Sequence, residues 1–202
     1  TLMRSSAASD VYKRQVLNDT DHFAYVIGYK DGLVKPYGLI TRAETTTIFF
    51  RLLKDSVRDS SLLTSNTYTD VPDSYWANTA ISTMTGLGFV QGRSTTTFDP
   101  QSPITRAQFA AICARFDTGT SSGTQTFSDI SGHWAEKYIQ RAAELGWIKG
   151  FEDGTFRPDT YITRAQAMTM INRVLNRIPE DESDLLPGMN VWPDCNPGDW
   201  FY

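Results

Sequence analysis

The pentapeptide ITRAQ stands at residues 104–108 and again at 162–166, and residues 40–44 read ITRAE, so one short string occurs three times in 202 residues. Arg106 and Arg164 are 58 apart, and the same offset relates Trp76 to Trp134, Gly88 to Gly146, Gly92 to Gly150, Phe98 to Phe156, Pro100 to Pro158 and Ile104 to Ile162. A whole unit is therefore duplicated without an internal gap, and such self-similarity decides architecture before any local reading. At an offset of 122, Gly28, Asp31, Gly32, Pro36, Ile40 and Arg42 match Gly150, Asp153, Gly154, Pro158, Ile162 and Arg164, which makes a third copy without its front half.

The copy at 127–178 shows the local plan. Ala135, Tyr138, Ala142 and Leu145 recur at helical spacing after SDISGHW, and Gly146 stands where a helix ends in a left-handed residue. A loop with an Asp153-Gly154 turn follows, Phe156 is a core anchor, and Pro158 blocks further helix until Thr163 opens a second one through about Arg177. The pattern predicts an all-α chain of repeated helix-loop-helix units, each too small to bury a core alone, so that the copies pack on one another.

The units divide as 16–60 (lacking a first helix), 68–117 and 127–178, with polar linkers at 117–126 and 179–184. The tail, VWPDCNPGDWFY, repeats the openings YTDVPDSYWA and FSDISGHWAE, with Trp200 in the place of Trp76 and Trp134, so 190–202 reads as the truncated start of a further unit. Docking of that tail on copy one is expected to close a threefold assembly. Residues 1–15 share nothing with the repeats and are set aside as a non-native or disordered segment, and a start at Thr1 with a stop in mid-pattern reads as a fragment.

Composition narrows the function classes. A net charge of −4 and a pI near 5.1 give no basic field for a phosphate backbone, so nucleic acid is excluded as a partner and any anion must be caught locally. No run approaches eighteen apolar residues, so no membrane insertion is expected. Cys113 and Cys195 lack metal-site spacing, and Cys113 reads as a buried free thiol in a helix.

The three arginines raise the sharpest question. TRAE and TRAQ are capping boxes, with Thr41, Thr105 and Thr163 as N-caps and Glu44, Gln108 and Gln166 returning a bond to the cap amide. Nothing in that motif requires Arg42, Arg106 or Arg164. A cation at the first helical position opposes the helix dipole by about 0.3–1 kcal/mol, yet it recurs. One reading joins the helix's free N–H groups and the guanidinium into an anion site. The other pairs each arginine with a neighbouring unit's carboxylate, such as Asp31, Asp70, Asp129 or Asp153, purely to hold the copies together; the pattern alone leaves both open.

Over its full length, FSDISGHWAEKYIQRAAELGWIKGFEDGTFRPDTYITRAQ resembles an S-layer homology (SLH) domain. The resemblance implies an extracellular anchor at the cell wall or S-layer. It implies modules in a pseudo-threefold bundle whose grooves bind secondary cell-wall polysaccharide carrying a pyruvate ketal, a carboxylate on a sugar. Arg42, Arg106 and Arg164 match the family's TRAE arginine and would meet that acid. Two departures stand out: Gln108 and Gln166 replace the family's Glu, and copy two reads GRSTTTFDP where copy three has GFEDGTFRP, without the Asp-Gly turn.

Trp76, Trp134 and Trp200 are expected as core anchors rather than sugar platforms. His22 and His133 show no ligand spacing, and the Asp-Gly loops lack the acids of a calcium loop. No nucleophile and base, paired carboxylates or metal cluster repeats with the units, so no enzymatic activity, cofactor or metal is expected of this chain. Two alternatives remain: the anchoring part of a larger surface hydrolase, and a self-assembly scaffold that binds no glycan.

Overall fold

Each ITRA string starts a helix because three local interactions agree there. Thr41, Thr105 and Thr163 hold extended backbone and accept the third helical N–H, while Glu44, Gln108 and Gln166 accept the cap N–H in return. The computed structural model describes residues 16–20, 25–117, 119–124, 126–177, 192–196, 198 and 199. Among them are six α-helices and no named strand: α1 Arg42–Arg51, α2 Asp55–Ser60, α3 Asn78–Gly86, α4 Arg106–Arg115, α5 Glu136–Glu144 and α6 Arg164–Val174.

Helices α3 and α5 are the front helices of copies two and three, and both end as the glycines foretell, with Gly88 at φ 78° and Gly146 at φ 73°. Helix α6 stops at Val174, short of Arg177, because Asn176 takes the left-handed conformation there. The short α2 had no sequence signal; it has no side-chain cap and buries none of its residues. The expected segment 1–15, His22, Trp200 and the 179–184 linker lie outside the described residues.

The units share one core. Helix α1 packs on α3, and α4 on α5. Phe49 of α1 meets Phe109 of α4 at 5.7 Å and Phe116 at 5.2 Å, and Phe116 stacks on Phe89 at 4.1 Å. Cys113 is fully buried in α4 and free, with burial pushing its thiol up, and Cys195 is free as well.

Backbone hydrogen bonds join the three ITRA strings in a ring. Ile104 N–H donates to the Ile40 carbonyl (3.0 Å), Ile40 to Ile162 (3.2 Å), and Ile162 to Ile104 (3.2 Å). The next donors follow the same order: the N–H groups of Arg42, Arg106 and Arg164 reach the carbonyls of Ser102, Thr160 and Gly38, and those of Ala43, Ala107 and Ala165 reach Pro100, Pro158 and Pro36. Helix-opening amides, which have no partner within their own helix, are thus satisfied by the neighbouring unit.

One aspartate per unit fixes the loop before each ITRA string. Asp70 accepts from the amides of Phe98 and Asp99 (2.9 and 2.7 Å), and Asp129 from those of Phe156 and Arg157 (2.8 and 2.7 Å). In copy one the partner comes from the tail: Asp194 accepts from Val34 and Lys35 at 3.0 and 2.7 Å. Trp192 packs on Gly28 as Tyr68 packs on Gly92 and Phe127 on Gly150, each ring so close that a Cβ would clash with it. The described part of the tail therefore lies against copy one, as its resemblance to the two other openings led us to expect.

Candidate functional site

The three arginines are buried side chains, with Arg42 7 %, Arg106 5 % and Arg164 4 % exposed. Each reaches from the first turn of its helix into the loop of the next unit. Arg42 Nε donates to the Phe98 carbonyl (3.0 Å) and Nη2 to that of Gln91 (2.9 Å). Arg106 repeats this on Phe156 (2.7 Å) and Lys149 (3.0 Å), and Arg164 on Val34 (2.6 Å) and Ile27 (3.4 Å). An aromatic face supports each guanidinium: Phe98 at 4.6 Å, Phe156 at 4.6 Å and Tyr29 at 4.8 Å respectively.

The carboxylate-pairing reading holds for Arg164 alone, which meets Glu44 of the neighbouring unit, and the anion-site reading loses its helix amides. The aspartates named as partners are engaged elsewhere: Asp70 and Asp129 hold loop amides, Asp31 pairs with Lys35 and Asp153 with Arg157. The helix amides named as an anion site are also taken, the first two by carbonyls of the neighbouring unit and the third by the cap threonine. What joins the units is a guanidinium bonded to backbone carbonyls, and what remains for an outside anion is one guanidinium edge.

That edge differs among the three. Nη1 of Arg42 and of Arg106 makes no hydrogen bond among the described residues, whereas Nη1 of Arg164 donates to Glu44 Oε1 at 3.1 Å. Arg42 lines a cleft of about 310 Å³ with Gln91, Arg93, Gln108, Arg115 and Trp134. Burial and then the like charge of Arg93 pull the Arg42 guanidinium below its ordinary value. Burial followed by Arg157 brings Arg106 down to about 10, so it stays charged at neutral pH.

Gln108 adds a donor. Its Oε1 accepts the Thr105 cap amide, so its NH₂ is turned away from the helix start. A cleft wall offering the Arg42 edge and this amide favours an acceptor with two oxygens, the geometry of a carboxylate. The GRSTTTFDP loop of copy two closes as its counterparts do despite the missing turn motif: Arg93 N–H bonds the Thr97 carbonyl (2.9 Å) as Tyr29 bonds Leu33 and Phe151 bonds Thr155 (both 2.8 Å).

The tryptophans overturn the expectation of a core role. Trp76 is 61 % and Trp134 58 % exposed, because the following residues, Ala77 and Ala135, take the buried position at the start of each front helix. Trp134 stands on the cleft wall instead. His133 accepts the Ala135 N–H through Nδ1, a helix-start role. Sequence reasoning missed Arg115, although Arg51, Arg115 and Arg173 recur at the same offsets as the TRAE arginines and that spacing was the available signal. Arg115 braces the cleft through the Phe89 carbonyl and Gln91 Oε1 (3.1 and 3.0 Å).

The sequence model of the S-layer homology domain matches residues 67–110 and 126–168. The chain belongs to the S-layer homology (SLH) domain family. Among curated relatives, cell surface glycoprotein 1 of Acetivibrio thermocellus is 35 % identical over 90 % of this chain and 8 % of its own length. The cellulosome-anchoring protein of the same organism is 41 % identical over 79 % of this chain and 37 % of its own length. An amylopullulanase of Thermoanaerobacterium thermosulfurigenes is 31 % identical over 75 % and 8 % respectively. The SLH chain thus spans a minor part of each relative, and these relatives include both surface proteins and a hydrolase. None of its described helices is long and apolar enough to cross a membrane.

Proposed function

We propose that this SLH chain is an extracellular anchoring module that holds its parent protein on the cell wall by binding a polysaccharide bearing carboxylate groups, the pyruvate ketal first among them. The observation that carries this reading is the unpaired Nη1 edge of Arg42 in the Gln108–Trp134 cleft. A buried guanidinium held below its ordinary value is restored by an incoming carboxylate, and a sheltered contact of this kind contributes about 1.5–3 kcal/mol. The hydrogen-bond ring of Ile40, Ile104 and Ile162 supports a pseudo-threefold arrangement of the units 16–60, 68–117 and 127–178, the first of them joined by Trp192 and Asp194 of the tail. Clefts fixed on one rigid body then engage successive sugars of one polymer with raised effective concentration.

The sites assigned to the glycan are those of Arg42 and Arg106, Arg164 being the third matched position and already paired with Glu44, with the caps Thr41, Glu44, Thr105, Gln108, Thr163 and Gln166 shaping the ground beside them. Binding is noncovalent and the module performs no chemistry of its own. The hydrolase among its relatives favours a second reading for the parent protein, an anchored glycan-degrading enzyme whose catalytic part lies elsewhere.

The test is retention of the chain on purified pyruvylated wall polysaccharide before and after chemical removal of the ketal. Loss of retention on removal is expected. Equal retention on both polymers would point to a self-assembly scaffold or to another wall polymer and would sink the carboxylate reading.

A further inference from the structure

At the third helical position the three units differ, with Glu44 in copy one and Gln108 and Gln166 in the other two. In each, one terminal oxygen accepts the cap amide: Glu44 Oε2 from Thr41 (2.8 Å), Gln108 Oε1 from Thr105 (3.4 Å) and Gln166 Oε1 from Thr163 (3.0 Å). With that oxygen fixed, the other terminal atom is an amide nitrogen in Gln108 and Gln166 but a carboxylate oxygen in Glu44. The cyclic order of the units brings Glu44 against Arg164 and places Gln108 in the cleft of Arg42, and by the same order Gln166 is assigned to Arg106.

We infer that Glu44 is a built-in occupant of the Arg164 site, an intramolecular carboxylate that closes this site to outside acids and leaves those of Arg42 and Arg106 open. The inference rests on the carboxylate-binding reading given above. Arg164 uses all three guanidinium nitrogens inside the chain, Nε on Val34, Nη2 on Ile27 and Nη1 on Glu44. Tyr29 holds the pair together, its hydroxyl donating to the same Glu44 oxygen at 2.8 Å while its ring faces the Arg164 guanidinium. An external carboxylate would have to displace a partner that is already charge-matched, hydrogen-bonded twice and tethered to the next unit.

Substituting Gln for Glu44 converts this site into the form found in the other two units and keeps the capping box, since the amide oxygen still accepts from Thr41. Calorimetric titration with a methyl glycoside carrying a pyruvate ketal reads the number of sites per chain in the wild type, Glu44→Gln and the reciprocal Gln108→Glu. Two sites are expected in the wild type, one more in Glu44→Gln and one fewer in Gln108→Glu. Three sites in the wild type, or no gain in Glu44→Gln, overturns the role of Glu44 while leaving glycan binding intact. No binding by either protein sinks both readings. A gain in Glu44→Gln over a silent wild type keeps the role of Glu44 and sinks the assignment of Arg42 and Arg106. Should Glu44→Gln fail to fold, a loss of one site in Gln108→Glu supports the inference and an unchanged count overturns it.

Discussion

Arg106 donates from Nε to the backbone carbonyl of Phe156 over 2.7 Å, joining the start of one unit's second helix to a loop fifty residues later in the chain. Nη2 takes the Lys149 carbonyl in the same loop, so one side chain clamps it at two points. Lysine cannot present two diverging donors in a plane. Arg106→Lys is expected to lower unfolding free energy by ~1–3 kcal/mol, the cost of leaving a buried acceptor unmet, as measured by urea denaturation. A variant as stable as the wild type would remove the clamp from the account of how units join.

Trp134 offers the converse test. With more than half of its surface exposed beside the Arg42 cleft, Trp134→Ala is expected to leave stability within about 0.5 kcal/mol of wild type. Affinity for the ketal-bearing glycoside should fall roughly tenfold at that cleft, ~1.4 kcal/mol. Thermal denaturation and titration on one preparation separate the two effects; a large drop in stability would restore the tryptophan to the core.

The tail makes a local prediction. Asp194 bonds the Val34 and Lys35 amides as Asp70 and Asp129 bond theirs, and although burial pushes its carboxyl up, those two amides hold it below its usual value. In Asp194→Ala, hydrogen exchange at Val34 and Lys35 should quicken while Phe98 and Phe156 keep wild-type protection. Unchanged exchange at 34 and 35 would show that the tail does not order this loop.

A pH dependence follows from Glu144. Burial raises its carboxyl, but the Ser122 and Ser121 hydroxyls and the amides of Ser122 and Gly123 outweigh that and bring it from 4.5 down to about 2. A depressed value means that the carboxylate's hold on residues 121–123 is fully present above the unfolded value. It is lost only as pH falls through the folded one. Amide exchange at Ser122 and Gly123, corrected for intrinsic rate, should therefore stay protected at pH 4 and open near pH 2. Opening already at pH 4 would contradict this network.

Much of the local structure was legible because its causes are local. Thr105 with Gln108, Gly146 after Leu145 and Pro158 before the second helix each act within a few residues, and the 58-residue offset carries them from copy to copy. The arginines were legible as exceptions to the helix dipole, but their acceptors were not. A carbonyl is present at every residue, so composition gives no sign of which one a guanidinium will choose. Trp134 was misjudged for a related reason: hydrophobicity alone does not say which of two neighbours, Trp134 or Ala135, turns inward when a helix begins. The difference between Glu44 and Gln108 was plain in the sequence, yet its meaning depended on a residue 120 positions away.

The ring of Ile40, Ile104 and Ile162 also limits how such units can be counted. Each isoleucine gives its N–H to one neighbour and its carbonyl to the other, so the circuit has no loose end at which another member could join. Solenoid repeats lengthen by stacking on an exposed terminal face; a closed circuit offers no such face. Any additional copy in a longer parent chain must found a circuit of its own or evict a resident. Growth by gene duplication would then proceed in triplets rather than singly.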